Sequence, residues 1–221
     1  MHTNLNPTLR IAVLAAAIAA ALPAAAQQSA AEGNWLVRVR AVNVDTYNGS
    51  TPIGALGVPK DAIHVEDKVI PEVDISYFFT KNIAAELILT VPQKHDVKVK
   101  QSAIGAFNAG HFYLLPPTLT LQWHFNPDGD FRPYVGAGVT YSDFSGDQLR
   151  VPGVTGLHLD NSYVGAAVQA GFDYRLTKNL FFNMDIKKAQ VRSDVENDAG
   201  VKVSRVKVDP ILFGVGLGWR F

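Results

Sequence analysis

The sequence predicts an all-β protein that folds as an eight-stranded antiparallel transmembrane β-barrel. Three observations support this prediction. Runs in which apolar residues alternate with polar or small ones recur eight times along the chain. The connections between the runs alternate between long and short, so both ends of the barrel domain lie on the short-turn side. In nearly every run one stripe is fully apolar, whereas the other contains glycines and charges, as expected for lipid outside and a narrow lumen inside.

The main soluble alternative is a lipocalin-like barrel. Such a barrel packs its apolar side chains inward and needs polar outer stripes. The stripes opposite the charged positions are apolar on nearly every run, which disfavours this alternative. A strand that merely ends a soluble sandwich is a second alternative for the last run taken alone.

The N-terminal residues are typical of an export signal. One basic residue, Arg10, precedes an alanine-rich apolar run from Ile11 to Leu22, and three small residues end at Ala26. We therefore predict a signal peptide over residues 1–26 that is cleaved after Ala26, leaving residues 27–221 as an outer-membrane barrel. An uncleaved anchor is the alternative, but the apolar run is too short to span a bilayer.

Composition excludes some classes of function. The chain has 20 basic and 20 acidic residues, so no positive field attracts nucleic acid. It has no cysteine, which weakly favours a periplasmic or outer-membrane protein stabilised by its sheet.

Each predicted strand is justified by its alternation. In strand 1, valines alternate with Arg38 and Arg40, and arginines are costly in lipid, so these two face the lumen. The remaining strands follow the same rule. The predicted strands run about Trp35–Val44, Lys68–Phe79, Ile83–Pro92, Phe112–Phe125, Phe131–Phe144, Ser162–Tyr174, Leu180–Ala189 and Val206–Phe221.

Short turns and long polar loops separate these strands. Turn residues such as Asn48-Gly49 and Pro59 indicate that the long connections are irregular. The predicted long loops are Asp45–Asp67, Gln93–His111, Ser145–Asn161 and Gln190–Arg205.

The last strand carries the clearest pattern. Its apolar stripe ends in Trp219 and Phe221, where an interfacial aromatic girdle is expected. A terminal aromatic residue on an alternating strand also resembles the signal that the barrel assembly machinery reads. We therefore predict that Trp219 and Phe221 form this assembly signal.

Several stretches together resemble the OmpW family of small outer-membrane barrels. The similar stretches are Asn82–Pro92, Tyr113–Phe125, Phe131–Gly138 and the terminal Gly-Trp-Arg-Phe. The resemblance extends from the first strand to Phe221 and is weakest in the loops. It implies a narrow barrel in the bacterial outer membrane, in contact with lipid, that passes small hydrophobic molecules, with lateral release into the membrane.

Charged side chains recur on the inward stripes. Buried charges persist only if they are paired, so these residues are predicted to form an ionic network that plugs the periplasmic half of the lumen. An ion-selective pore is the alternative, but eight strands seldom leave an open water path. The predicted network consists of Arg38, Arg40, Glu72, Asp74, Glu86, Arg132, Asp173, Asp185, Lys187 and Arg220.

Three inward positions are apolar instead. Ile88, Phe181 and Leu212 could form a hydrophobic constriction that gates by dewetting. The OmpW family resembles this chain at Ile88 but has an aromatic residue where this chain has Lys187, which puts the constriction in doubt. Simple packing inside a narrow barrel is the alternative.

Prolines suggest a lateral route. Pro92 ends strand 3, and Pro116 and Pro117 lie early in strand 4, at a similar outer height. Proline cannot donate to the strand ladder, so we predict a gap between strands 3 and 4 through which a solute leaves sideways. The alternative is that these prolines only stop strand pairing where the strands leave the membrane.

Enzymatic and metal-binding functions are not predicted, and no cofactor is expected. Four histidines and several serines lie in or near the long loops, but no spacing links a serine to a histidine and an acid, and none is typical of a metal site. Loop histidines are expected to be solvated. The four histidines are His64, His95, His111 and His158, and the nearby serines are Ser50, Ser102 and Ser162.

Two functions are compatible with these observations, and we predict the first. One is a channel for passive transport of small hydrophobic solutes. The other is a closed structural or adhesive barrel whose extracellular loops bind partners such as phage or bacteriocins. Continuity of the lumen from the loops to the gap distinguishes them.

Overall fold

The computed structural model describes residues 32–53, 57–149, 157–197 and 202–221. The predicted signal peptide lies outside these residues. The described part of the chain contains no helix that is both long and apolar enough to cross a membrane. Its strands are β1 (Trp35–Asp45), β2 (Gly49–Ser50), β3 (Ile63–Val65), β4 (Lys68–Phe78), β5 (Ile83–Thr90), β6 (Gln93–Val99), β7 (Phe107–Leu115), β8 (Thr118–His124), β9 (Phe131–Leu149), β10 (Leu157–Leu159), β11 (Ser162–Arg175), β12 (Leu180–Ala189), β13 (Arg192–Asn197), β14 (Lys202–Lys207) and β15 (Ile211–Arg220).

Eight of these strands close an antiparallel barrel, which confirms the predicted fold class. Their order around the barrel is β1, β4, β5, β8, β9, β11, β12 and β15. The barrel closes where the last strand pairs with the first, with Trp219 opposite Val37 and Gly218 opposite Arg38. Closure leaves no free edge along the barrel wall.

The outer face of the barrel is apolar, as a lipid-facing surface must be. Leu119, Leu121 and Val168 each expose more than half of their surface, at 53%, 59% and 54%. At the end of the barrel where β1 begins and β15 ends, the rings of Trp35 and Tyr77 lie 4.9 Å apart in an edge-to-face arrangement. The exposed band and its aromatic rim match the outward pattern of a membrane barrel.

The prediction that the long connections are irregular loops is wrong, because much of their length forms strands. Strands β6 and β7 pair as a hairpin that extends the barrel wall outward, and β3 pairs with β6. Strands β10, β13, β14 and β2 form a second, four-stranded sheet. On β6 the buried Val97 and Val99 alternate with Lys94, Asp96 and Lys98. This part of the strand lies beyond the lipid, so its outer face is polar. The polar residues made the segment resemble a loop in the sequence.

Strand β9 extends to Leu149, five residues beyond its predicted end, and three other predicted strands end early or are interrupted. Strand β5 ends at Thr90 rather than Pro92. Predicted strand 4 is interrupted at Pro116–Pro117 and divides into β7 and β8. Predicted strand 8 is interrupted before Pro210, where Asp209 has a positive φ of 31°, and divides into β14 and β15. Proline, which has no N–H to donate, lies at all three interruptions.

Candidate functional site

Arg40 is the centre of a buried ionic cluster inside the barrel. Its guanidinium lies 2.5 Å from Asp74, 2.6 Å from Asp185 and 2.7 Å from Glu72. The ammonium of Lys187 binds Glu72 as well. The side chains of these five residues are at most 7% exposed, so the cluster is shielded from bulk water.

Arg38 continues this cluster on the same strand, two residues away. It forms ion pairs of 2.6 Å with Glu86 and with Asp173. Asn183 connects the two arginines, because its amide accepts a 3.1 Å hydrogen bond from Arg40 and donates a 2.9 Å bond to Asp173. Eight of the ten predicted network residues thus lie in one cluster of three cations and five carboxylates, namely Arg38, Arg40, Lys187, Glu72, Asp74, Glu86, Asp173 and Asp185.

The other two predicted members lie apart, at the periplasmic mouth. Arg132 forms a 2.6 Å ion pair with Glu32, and Arg220 lies 3.3 Å from the same carboxylate. Arg175 also pairs with Glu32, at 2.9 Å. Sequence reasoning missed Glu32 because it precedes the first strand and belongs to no alternating pattern. Glu32 therefore joins three arginines at this mouth.

A small apolar cluster separates this mouth from the ionic cluster. It consists of Leu36, Phe78, Ala84 and Phe181, all buried. The guanidinium of Arg220 lies 3.9 Å from the centre of the Phe78 ring, a cation–π contact. Together with the ionic cluster, these side chains fill the periplasmic part of the lumen.

The predicted constriction is not formed by its three residues together. Phe181 packs in the apolar cluster at the periplasmic end, whereas Ile88 and Leu212 line a cavity on the other side of the ionic cluster. Barrel strands tilt, so inward positions on different strands lie at different heights, and alternation alone does not reveal this. Lys187, the departure from the family pattern, belongs to the ionic cluster.

The cavity above the ionic cluster has a volume of about 60 Å³. Glu72 and Lys187 contribute to its floor, and most of its wall is apolar. A second cavity of about 50 Å³ lies farther out, among the strands beyond the membrane, and Val208 lines both. The apolar wall of the first cavity includes Val44, Ile70, Ile88, Leu114, Ala167, Ala189, Val191, Val208 and Leu212.

The strand ladder is interrupted beside the first cavity. Pairing between β5 and β8 reaches Ile88 opposite Thr118, and pairing between β6 and β7 resumes at Gln93 opposite Leu114. Residues 89–92 and 115–117 between these points have no ladder partners in each other. We call this interruption the ladder break. It contains all three predicted prolines, and Pro116 also lines the cavity.

Side chains satisfy part of the backbone around the ladder break. The hydroxyl of Thr90 donates a 3.0 Å hydrogen bond to the carbonyl of Pro71. The amide of Gln93 donates a 2.9 Å bond to the carbonyl of Val91. Thr90 and Gln93 both line the cavity as well. The ladder break is therefore an ordered part of the cavity wall, held by side-chain hydrogen bonds.

His95 is buried, although the sequence predicted a solvated loop residue. It is 4% exposed, stacks on Phe112 at 5.5 Å and lines the cavity. Burial, with a smaller contribution from the charge of Lys68, lowers the pKa of His95 to about 4. The imidazole is therefore neutral at pH 7.

The predicted assembly residues lie at the closing seam. The N–H of Phe221 donates a 2.9 Å hydrogen bond to the carbonyl of Trp35, and the N–H of Trp35 donates a 3.0 Å bond to the carbonyl of Phe221. Both ends of the barrel domain are thereby fixed at one rim. Recognition of Trp219 and Phe221 by the assembly machinery stays a prediction.

Comparison with known proteins agrees with this architecture. An uncharacterised outer-membrane protein, y4mB of Sinorhizobium fredii, is 42% identical over 190 residues, which cover 85% of this chain and 80% of that protein. Outer membrane protein W of Escherichia coli is 31% identical, over 86% of this chain and 89% of that protein.

A solved structure shares the fold. The crystal structure of the outer membrane protein OprG from Pseudomonas aeruginosa superimposes with a TM-score of 0.73 at 25% identity, covering 86% of this chain and 97% of that one. The family model described as the OmpW family matches residues 31–221. The protein is therefore a lipid-embedded barrel of the bacterial outer membrane, and it belongs to the OmpW family.

Proposed function

We propose that this barrel is a channel for passive transport of small hydrophobic molecules. These molecules leave the lumen sideways through the ladder break, which lies between predicted strands 3 and 4. One observation carries the proposal: an apolar cavity ends on the ionic cluster and has the ladder break in its wall. The family resemblance in the sequence points to the same class of solute.

The buried ion pairs in the lumen argue against transport along the barrel axis. A solute moving along the barrel axis would have to displace Arg38 and Arg40, whose side chains are fully buried in ion pairs. Separating such pairs leaves uncompensated charges in a low-dielectric interior, which costs several kcal/mol. An apolar solute offers no compensating contacts, so the axial route is unfavourable.

The outward route suits an apolar solute. The second cavity is lined almost wholly by apolar side chains, such as Phe107, Phe112 and Phe144, and Val208 joins its wall to that of the first. Each step from the outer cavity inward therefore exchanges one apolar environment for another. The hydrophobic effect favours entry from water into such a path.

The lateral exit follows from the ladder break. Strands that are fully paired cannot separate without losing several backbone hydrogen bonds in lipid, where each unsatisfied group is costly. At the break the prolines lack N–H groups and the ladder is already interrupted. A small displacement of the wall next to Pro116 would connect the cavity with the lipid.

The test is uptake of naphthalene into cells that lack other members of the family. The initial rate is compared for the unaltered protein and for the double variant Pro92→Ala, Pro116→Ala, at equal amounts of folded barrel in the outer membrane. Alanine restores the N–H groups, so the rate is expected to fall several-fold toward that of cells without the protein.

A matched control removes two prolines away from the break. Pro127 lies in a short turn and Pro133 is paired in β9 opposite Phe172, so Pro127→Ala, Pro133→Ala should keep the uptake rate. Equal rates for both double variants would contradict lateral release. If the unaltered protein gave no uptake above that of cells without it, the closed barrel with partner-binding loops would replace this proposal.

A further inference from the structure

The cavity above the ionic cluster contains polar atoms that its apolar wall does not explain. Within residues 32–53, 57–149, 157–197 and 202–221, Nδ1 of His95 and Oε1 of Gln169 are buried without a hydrogen-bond partner. Both residues line this cavity, and they are 4% and 5% exposed. A buried polar atom without a partner is destabilising, so such atoms point to a group that binds there.

The orientation of Gln169 is fixed by its neighbours. Its Nε2 donates hydrogen bonds of 2.9 Å to Glu86 and 2.8 Å to the hydroxyl of Thr120. The Glu86 carboxylate pairs with Arg38 at 2.6 Å and accepts, so it requires an N–H donor. Oε1 must therefore be the amide atom without a partner, and an amide oxygen can only accept.

His95 supplies a second buried polar atom without a hydrogen-bond partner, near the ladder break. Its ring is stacked on Phe112, and it lies two residues after Gln93, which borders the break. Its low pKa means that the ring is neutral at pH 7, with one nitrogen protonated and the other an acceptor. In the tautomer with the proton on Nε2, Nδ1 accepts a hydrogen bond.

The charge of the cavity floor narrows the ligand class. Of the ionic cluster, only Glu72 and Lys187 line the cavity, and they pair with each other, so the floor offers no unpaired cation to an anionic head group. A cation would lose its hydration in a cavity of about 60 Å³ with a mostly apolar wall. A neutral hydroxyl can donate a hydrogen bond to an acceptor in this cavity, and it carries no charge that would have to be paired or dehydrated.

We propose that the cavity prefers apolar solutes that carry one hydroxyl, which donates to Gln169 on the floor and then to His95 beside the ladder break. This inference rests on the proposed transport function and specifies its substrate class. Both residues line the cavity whose wall contains the ladder break. A hydroxylated solute is therefore held at both positions, whereas an unsubstituted hydrocarbon meets only the apolar wall.

The test compares 1-naphthol with naphthalene, which share the same ring system and differ by one hydroxyl. Initial uptake rates of both are measured in cells with equal amounts of folded barrel. The ratio of the 1-naphthol rate to the naphthalene rate, corrected for cells without the protein, is expected to fall by about tenfold in His95→Phe. Phenylalanine preserves the stacking on Phe112 and removes the acceptor.

His111→Phe is the matched control, because His111 is half-buried on β7 and does not line the cavity. It should keep the ratio of the unaltered protein. An equal ratio in the unaltered protein and His95→Phe would overturn the preference for hydroxyls. Absence of uptake of both probes by the unaltered protein would overturn the transport function itself, which separates the two failures.

A second measurement needs no variant. In the unaltered protein, labelled with ¹⁵N-histidine and placed in lipid nanodiscs, 1-naphthol should shift the Nδ1 resonance of His95, and naphthalene should shift it far less. Equal shifts with both probes, or none with either, would show that Nδ1 of His95 does not bind the hydroxyl of the solute and would overturn the proposal.

Discussion

Arg40 is the residue on which the interior of the barrel depends most. It pairs with three carboxylates at 2.5 to 2.7 Å with no exposed side-chain surface. Arg40→Met is expected to lower the free energy of unfolding by about 3–5 kcal/mol, because Glu72, Asp74 and Asp185 remain buried without their shared partner. Urea unfolding in lipid vesicles measures the change.

The control for Arg40 is an ion pair on the surface. Lys81 and Asp128 lie 2.8 Å apart, but their side chains are 72% and 74% exposed. Water screens such a pair, so Lys81→Met should change the unfolding curve little. A small effect of Arg40→Met, comparable to that of Lys81→Met, would mean that the ionic cluster does not hold the barrel together.

Asp194 provides a prediction about pH outside the membrane. Hydrogen bonds from Arg205, assisted by Lys202, lower the pKa of Asp194 to about 2. A lowered carboxyl pKa stabilises the folded state above the unfolded pKa of about 3.9, and this stabilisation is lost as pH falls toward 2.

Carboxyl carbon NMR should therefore show Asp194 titrating near pH 2, with lower amide protection factors in β13 and β14 as the pH falls through this range. In Asp194→Asn the protection factors of these strands should lose that dependence. A midpoint near pH 4 would contradict the assignment.

At the scale of elements, the contact between the first and last strands requires glycine at one position. A Cβ at Gly216 would lie 2.1 Å from the carbonyl oxygen of Val39 and 2.8 Å from the Cα of Arg40, both backbone atoms. Gly216→Ala must therefore displace β15 from β1, and we expect it to cost about 1–3 kcal/mol.

The same urea experiment tests this prediction, with Gly49→Ala as its control. A Cβ at Gly49 would meet its nearest neighbour, a ring atom of Tyr47, at 3.4 Å, which is ordinary contact. Equal stability of the two variants would show that the closing seam tolerates the extra methyl group.

Alternation predicted the barrel strands well because lipid imposes a strict pattern on them. Strand β12 has the predicted bounds, Leu180–Ala189, and β1 differs by one residue. Beyond the lipid both faces meet water or other loops, so the pattern weakens. That is why β6 and the part of β7 up to His111 were predicted as a loop and why His95 was predicted to be solvated.

The site was only partly predictable, since alternation gives the face of a side chain but neither its height nor its partner. It placed Arg38 and Glu86 inward, but their pairing depends on tilted strands that are distant in sequence. It also assigned Phe181 to a constriction that the tilt of the strands separates from Ile88. Glu32 lies on no strand, so no periodicity could have indicated it.

For the whole molecule, these features combine into a barrel whose periplasmic part is filled by side chains and whose strand ladder is interrupted at one side. The ionic cluster, the apolar cluster around Phe181 and the contacts of Glu32 fill successive levels toward the periplasm. The cavities and the ladder break lie on the outer side of this plug. We therefore expect the barrel to exclude polar solutes and to admit apolar ones.

This asymmetry predicts that the barrel does not pass small sugars. Liposomes containing the purified protein and suspended in isotonic arabinose should swell no faster than protein-free liposomes, because a sugar cannot cross the buried ion pairs or enter lipid through the ladder break. A porin with a water-filled channel, reconstituted at the same protein-to-lipid ratio, provides the positive control. Swelling above the protein-free rate would indicate a continuous aqueous path along the axis and would contradict the proposed lateral route.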